Sequence, residues 1–167
     1  MTPDLIIRLI ADVAVIPVIL IGAYLLLFKV PKGKARYEAY CRILMAGLTA
    51  YLLAKLAATV YQPSDLRPFE LMGVDPGALY LNNPGFPSDH ALFVTAITAA
   101  VWFETRAKKT AIVLAILVLL IAIGRVVALV HTPIDVIAGI VIALLGAVWY
   151  LDKPGGQKEI LHGKSSR

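Results

Sequence analysis

The sequence predicts an all-α membrane protein, a polytopic bundle of about five transmembrane helices. Of its 167 residues, 59% are hydrophobic, more than soluble domains usually contain. The apolar residues form long runs, and the charged residues collect in the segments between them. Runs of this length are typical of bilayer-spanning helices. The alternative, a soluble and very apolar helical domain, leaves the length of these runs unexplained.

Five hydrophobic segments follow one another, and we place them at about residues 5–28, 37–61, 82–103, 110–130 and 133–151. The first has no features of a cleavable signal peptide, so we expect it to stay in the membrane. It carries Arg8 and Asp12 four residues apart, where they can pair on one helical face; alternatively, its first turns lie at the membrane interface. Pro17 is a candidate kink. The third segment is short for a span and is expected to begin below the outer surface. We expect one domain over residues 1–152 and a polar tail over residues 153–167, in which His162 is best explained as solvated.

The basic residues predict the orientation. Lysines and arginines are concentrated in the loops after the first and third segments and in the tail. Basic loops stay in the cytoplasm, so with five spans the N-terminus, the 62–87 loop and the 130–133 turn lie outside the cell membrane. The net charge of +5 then needs no nucleic-acid partner. Cys41, the single cysteine, has no partner for an internal disulfide.

Three polar clusters fall at the outer helix ends. The stretch "NNPGFPSDHA" (residues 82–91) places Ser88 as a helix N-cap. Unsatisfied amides follow it at Asp89 and His90, and such amides bind phosphate. A capped helix with an incidental histidine is the alternative for this stretch alone.

The stretch "GRVVALVHTPID" (residues 124–135) contains Arg125, His131 and Asp135. Arg125 lies within or near the boundary of the membrane, where burial of an arginine costs free energy and usually indicates a function. Asp135 follows His131 by four residues and can orient its ring, which leaves the other nitrogen free to attack. A salt-bridged helix hairpin is the alternative.

The stretch "SDLRPFE" (residues 64–70) holds Arg67 just before a proline, where the backbone is extended. Its guanidinium offers a planar fork to a phosphate, or it is simply an arginine at the interface. Lys55, upstream in the second segment, either snorkels toward the surface or faces the bundle interior.

Together these residues form a set suited to phosphoryl transfer: cationic donors, a helix N-terminus, two histidines and an orienting carboxylate. The sequence offers no carboxylate cluster for magnesium and no His/Cys set for zinc. We therefore expect a site that uses no metal and no other cofactor.

The order and spacing of these residues resemble the type 2 phosphatidic acid phosphatase (PAP2) superfamily. The resemblance extends from about Lys55 to Gly139. The matching motifs are Lys55 with Arg67-Pro68, then Pro87-Ser88-Asp89-His90, then Arg125, His131 and Asp135. The "GFPSDHA" and "LRPF" stretches further resemble bacterial undecaprenyl-diphosphate phosphatases of the bacitracin-resistance type.

The sequence departs from the family pattern at three points. The usual first-motif lysine would fall at Val60, so Lys55 stands twelve residues before Arg67 rather than seven. A bent or looped segment around Pro63 can still bring Lys55 and Arg67 together. Gly124 replaces the serine that often precedes the arginine of the third motif. Many relatives have six spans where five are predicted here, which keeps the core helices if the absent span is the N-terminal one.

The resemblance implies a role for each site residue. His131 is the expected nucleophile, Asp135 orients it, and His90 acts as the acid and then as the base. Phosphate-binding groups are expected at Arg67, Arg125, Ser88, Asp89 and Lys55.

The resemblance also implies a lipid phosphate substrate, met in the bilayer at the outer leaflet. A polyprenyl diphosphate is the first expectation, and phosphatidic acid, phosphatidylglycerophosphate and lipid A phosphates are the alternatives. Two other classes of protein are considered. One is a vanadium-dependent haloperoxidase, and the other is a non-enzymatic transporter or assembly protein.

Overall fold

The structure, a computed structural model, describes residues 3–61, 66–82 and 85–151. Within those residues the chain forms helices, turns and loops and no strand. The elements are α1 (Pro3–Arg8), a π-helical turn (Leu9–Val13), α2 (Val15–Phe28), α3 (Lys34–Val60), α4 (Pro68–Met72), α5 (Asp89–Glu104), α6 (Lys108–Val127), α7 (Pro133–Gly146) and a 3₁₀ turn (Ala147–Tyr150). The polar tail with His162 lies outside the described residues, as do Pro63 and Asn83.

Four helical stretches are long and apolar enough to cross a membrane. They are Asp4–Phe28, Lys34–Val60, Lys108–Val127 and Pro133–Tyr150. The remaining predicted segment corresponds to α5, which has 16 residues and is shorter than the roughly 20 needed for a full span. The prediction of an all-α, multi-pass membrane bundle is confirmed.

The short helix α5 lies at the centre of the bundle. It packs against α2, α3, α6 and α7, and Ala91, Val94 and Val101 on it are fully buried. Large apolar side chains on the surrounding helices are instead exposed, among them Leu20, Leu56 and Leu119. That distribution suits helices whose outer faces contact lipid.

Glycines allow the helices around α5 to approach closely. A Cβ on Gly139 of α7 would lie 2.6 Å from the carbonyl oxygen of Ser88, and a Cβ on Gly124 of α6 would lie 3.1 Å from the backbone nitrogen of Ala11. Small residues at such crossings are the usual means of close packing between membrane helices. They bring the start of α7 against the start of α5, and the end of α6 against the first helix.

The opposite end of the bundle is held by a bidentate ion pair. Arg42 donates from Nε and Nη2 to the two carboxylate oxygens of Glu104, both at 2.8 Å. Next to this pair, the Phe103 and Tyr150 rings stack with centroids 5.2 Å apart. These contacts tie the start of α3 to the end of α5 and to the C-terminal turn.

The first helix corrects one expectation. Asp12 does not pair with Arg8: its Oδ1 accepts from Arg125 Nη1 at 2.8 Å. Asp12 lies in the π-helical turn, where the amide of Ala14 donates to the carbonyl oxygen of Leu9 at 3.0 Å. This irregular turn lies shortly before Pro17, which has no amide hydrogen to donate to the preceding turn.

Candidate active site

The polar clusters at the helix ends meet around one small cavity. Its lining residues are Arg67, Leu81, Gly85, Pro87, Asp89, His90, Arg125 and His131. They come from the loop before α4, the loop before α5, the first turn of α5, the last turn of α6 and the turn before α7. The antiparallel order of the helices brings these segments to the same end of the bundle. Five of the eight predicted site residues therefore line a common space, and the buried Ser88 and Asp135 lie in the segments that form it.

The start of α5 has the predicted capped geometry. Ser88 is the N-cap, and its Oγ accepts from the amide of Ala91 at a long 3.5 Å. Ser88 has no exposed surface, and its own amide donates to the carbonyl oxygen of Asp135 at 2.9 Å. His90 therefore lies in the first turn of α5, next to amides that have no partner within the helix.

A second capped start, that of α7, carries His131 and Asp135. Thr132 is the N-cap and Pro133 is the first helical residue. Asp135 Oδ2 accepts from the amide of Thr132 at 2.7 Å, and Thr132 Oγ1 accepts from the amide of Asp135 at 3.3 Å. This reciprocal cap fixes the carboxylate one helical turn from the imidazole.

His131 and Asp135 are close but not tightly bonded. His131 Nδ1 lies 3.6 Å from Asp135 Oδ2, which is longer than a hydrogen bond. Among the described residues, His131 Nδ1 and Asp135 Oδ1 are both buried and have no hydrogen-bond partner. Catalytic contacts of this kind often tighten only when substrate binds. Because Nδ1 is on the Asp135 side, Nε2 is the nitrogen left for chemistry.

Burial sets the protonation of His131, which lies in the turn between two spans. Removal from water disfavours the imidazolium and lowers the pKa of His131, and the positive charges of Arg125 and Arg67 act in the same direction. The contact with Asp135 opposes this and raises the pKa, but burial is the larger effect. Burial therefore favours the neutral imidazole, which is the form that can act as a nucleophile.

Arg67 is held from both sides of its guanidinium. Nη1 donates to the carbonyl oxygen of Val130 at 2.5 Å and Nη2 donates to that of Leu81 at 3.0 Å. The guanidinium also lies over the Tyr80 ring, 5.3 Å from its centroid. Its backbone is extended, with ψ 160°, as the proline after it predicts. These contacts give a fixed cation at the cavity wall.

Arg125 is the more deeply buried of the two arginines, with 1% of its surface exposed. Nη1 donates both to Asp12 Oδ1 at 2.8 Å and to the carbonyl oxygen of Leu79 at 2.7 Å. Its Nε is buried and has no partner in the described part of the chain. A guanidinium offers five N–H groups, so donors remain for an anion in the cavity.

The structure does not bring Lys55 to the cavity. Its side chain is exposed on α3, with Nζ 5.3 Å from the centroid of the Tyr51 ring. Lys55 is one helical turn after Tyr51, so this contact is local to α3. Of the cations proposed for phosphate, the two arginines face the cavity and the lysine does not.

No group of three or more His, Cys, Asp or Glu side chains is placed to hold a metal ion within residues 3–61, 66–82 and 85–151. Two acidic side chains near the cavity are engaged with a neighbouring cation or amide. Asp12 contacts Arg125, and Asp135 contacts His131 and the amide of Thr132.

Comparison with known families assigns the chain. The family model of the PAP2 superfamily matches residues 38–156. The chain belongs to the PAP2 superfamily. No curated protein and no solved structure gives a significant match. Membership identifies a phosphatase of the lipid-phosphatase kind, in agreement with the motif order and the multi-pass bundle. In this PAP2 protein the matched region contains every residue that lines the cavity, and it leaves out the first helix.

Sequence reasoning missed Asp12 as part of the surroundings of the site. The signal was present, because a carboxylate in an apolar helix needs a partner. Arg8 offered a local partner at helical spacing, and only the packing of the first helix against Gly124 and the end of α6 identifies Arg125 instead. The backbone carbonyls of Leu79, Leu81 and Val130, which hold the two arginines, carry no sequence signal at all.

Proposed function

We propose that the protein is a metal-independent lipid phosphatase that hydrolyses a polyprenyl diphosphate, undecaprenyl diphosphate first, to the monophosphate and inorganic phosphate. One observation carries the proposal: His90 and His131 line the same cavity as Arg67 and Arg125, with Asp135 next to His131. This arrangement suits a two-step transfer through a phosphohistidine.

In the first step, Nε2 of His131 attacks the terminal phosphorus. A P–N bond forms and the bond from phosphorus to the bridging oxygen breaks. The lipid monophosphate leaves with that oxygen, which takes a proton from His90. The carboxylate of Asp135 stabilises the positive charge that develops on the imidazole ring, in the manner of other His–carboxylate pairs.

In the second step, His90 reverses its role. Now neutral, it accepts a proton from a water molecule that attacks the phosphorus. The P–N bond breaks, inorganic phosphate forms, and His131 returns to its starting state. One histidine thus acts as the general acid in the first step and as the general base in the second.

The cations and the start of α5 stabilise the transferring group. Charge spreads over the equatorial oxygens in the transition state, and positioned donors are the main source of catalysis in such transfers. Arg67, Arg125 and the amides of Asp89 and His90 supply these donors. Ser88 supports them as the cap of α5.

The position of the cavity suits a lipid substrate. It lies where apolar helices end, so a substrate can keep its chain in the bilayer while its phosphate enters the site. The preference for a polyprenyl diphosphate rests on the likeness of "GFPSDHA" and "LRPF" to phosphatases of the bacitracin-resistance type. Phosphatidic acid, phosphatidylglycerophosphate and lipid A phosphates present the same terminal phosphate and are the second candidates.

The proposed orientation follows the basic loops. The segments 29–36 and 104–110 lie at the end of the bundle opposite the cavity and are rich in lysine and arginine, so we assign that end to the cytoplasm. The active site then faces the outer leaflet of the cell membrane. Residues 1–152 act as one catalytic domain, and the tail is cytoplasmic.

The test is phosphate release by purified protein in detergent. Undecaprenyl diphosphate, phosphatidic acid and phosphatidylglycerophosphate are each supplied with excess EDTA, with His131→Ala alongside. EDTA-resistant turnover of the diphosphate, lost in the variant, is the expected result. Turnover of the glycerolipids alone would reject the polyprenyl assignment, and turnover that His131→Ala preserves would reject the mechanism.

A further inference from the structure

We propose that Asp12 is a positioning residue for phosphate binding, which fixes the guanidinium of Arg125 so that its unpaired edge meets the phosphate. The inference rests on the proposed function of the cavity. It gives a role to the first helix, which lies outside the residues 38–156 matched by the superfamily.

Asp12, Arg125 and the backbone of Leu79 are joined by three hydrogen bonds. Asp12 Oδ1 accepts from Arg125 Nη1 at 2.8 Å, and Asp12 Oδ2 accepts from the amide of Leu79 at 2.9 Å. Arg125 Nη1 also donates to the carbonyl oxygen of Leu79 at 2.7 Å. Each of the three residues therefore contacts the other two, and rotation of the guanidinium would break two hydrogen bonds.

This arrangement divides the guanidinium into two parts. Nη1 is used by Asp12 and Leu79, while Nε is buried without a partner among the described residues. Arg125 lines the cavity, so the unpaired donor is available to an oxygen of a bound phosphate. A buried donor without a partner is costly, and a phosphate would satisfy it.

The pair is also buried deeply enough to need both charges. The side chain of Arg125 is 1% exposed and that of Asp12 is 10% exposed. A buried cation that loses its counter-ion is strongly disfavoured. Asp12 therefore offsets the cost of burying the charged guanidinium of Arg125 and holds it in one position.

The local geometry of the first helix places the Asp12 carboxylate beside Arg125. Asp12 lies in the π-helical turn Leu9–Val13, and such turns are frequent at functional sites. Gly124, directly before Arg125, leaves room for the backbone of Ala11, to which a Cβ would come within about 3.1 Å. The close approach places residue 12 beside the last turn of α6.

The alternative is that Asp12 only balances the charge of Arg125. The two roles predict opposite changes in anion affinity when Asp12 is replaced. Removal of a negative charge beside a basic cavity strengthens the attraction of an anion by simple Coulomb interaction. If Asp12 instead positions Arg125, its removal weakens phosphate binding although the cavity becomes more positive.

The experiment measures binding of orthovanadate and inorganic phosphate to purified protein in detergent, from the anion-dependent rise in melting temperature. Asp12→Asn removes the charge and one acceptor, and Asp12→Glu keeps the charge but moves it by one methylene. Asp4→Asn removes the same charge elsewhere on the first helix and is the matched control. We expect about 10- to 100-fold weaker binding for both Asp12 variants, since the loss of a hydrogen bond to a charged group has an effect of about this size, and no weakening for Asp4→Asn.

A double-mutant cycle shows whether Asp12 acts through Arg125. In an Arg125→Ala background, Asp12→Asn should weaken anion binding no further. Unchanged or tighter binding in Asp12→Asn, or in Asp12→Glu if the first variant does not fold, would overturn the inference. Full additivity with Arg125→Ala would overturn it as well. Because these readouts need no turnover, failure to hydrolyse any lipid phosphate would reject the proposed function and not the role of Asp12.

Discussion

The amide of Ser88 donates to the carbonyl oxygen of Asp135 at 2.9 Å. This bond joins the N-terminal ends of α5 and α7, which carry His90 and His131 respectively. The two histidines thus come from separate helices whose first turns are fastened to each other. Any disturbance of this junction should change the catalytic geometry before it unfolds the bundle.

Gly139 tests this junction. Gly139→Ala places a Cβ about 2.6 Å from the carbonyl oxygen of Ser88, and backbone cannot move aside as a flexible side chain can. We expect a loss of about 1–3 kcal/mol in stability and a fall in kcat/KM that exceeds the loss of folded protein. Thermal melts and kinetics on the same preparation measure both. Gly47→Ala is the control, because a Cβ there meets nothing within 4 Å. Normal kcat/KM in Gly139→Ala would argue against the junction as a determinant of geometry.

The two histidines should differ in their effect on the covalent intermediate. With substrate radiolabelled in the terminal phosphate, His131→Asn is expected to incorporate no phosphate, since it lacks the proposed nucleophile. His90→Asn should retain some labelled protein after quenching in base, because the water that resolves the intermediate has lost its general base. The label should be acid-labile, as phosphohistidine is. Equal labelling of the two variants would contradict the assignment of roles.

Asp135→Asn should separate catalysis from capping. Asparagine can still accept from the amide of Thr132, so we expect a stability loss of about 1 kcal/mol or less. The neutral amide cannot stabilise the charge that develops on His131, and kcat should fall by about 10²- to 10⁴-fold, as in comparable His–carboxylate pairs. Thr132→Val, which removes the opposite half of the cap, is the control and should cost stability more than kcat. An Asp135→Asn enzyme with nearly normal kcat would contradict this role.

The pH profile should report the buried state of His131. Because burial lowers its pKa, the neutral nucleophile persists to pH values below about 6.5, the ordinary value for histidine. The acid limb of kcat/KM should therefore lie below that pH. Asp135 raises the pKa of His131, so Asp135→Asn should move the limb to still lower pH in its residual activity. A limb that shifts upward in this variant would show that another group controls it.

Lys55 and Arg67 should behave differently although both are cations of the first motif. Arg67 lines the cavity, and Arg67→Ala removes a positioned donor, for which losses of about 10²- to 10³-fold are typical. Lys55 lies on the exposed face of α3 beside Tyr51, so Lys55→Ala should stay within about threefold of the wild-type kcat/KM. A large loss in Lys55→Ala would show that the lysine reaches the substrate in the bound state.

The sequence predicted those features that depend on local chemistry. The apolar runs predicted the helices, Ser88 and Pro133 predicted two helix starts, and the proline after Arg67 predicted its extended backbone. The partners of Arg125 could not be predicted, because they depend on how the first helix packs against α6. Close contacts at glycines, such as that between Gly124 and Ala11, determine this packing. A single sequence does not show which helices contact each other.

The length of α5 has a consequence for the membrane around the protein. Sixteen residues span about 24 Å, against a hydrocarbon thickness of about 30 Å. If the end of α5 at Glu104 lies level with the ends of the longer spans, a phosphate held at its start lies about 6 Å deeper than the end of a full-length span. Either the bilayer thins at this point or the headgroup sinks to meet the site, and both are responses to hydrophobic mismatch. Turnover in vesicles should consequently depend on acyl-chain length and be fastest in thin bilayers.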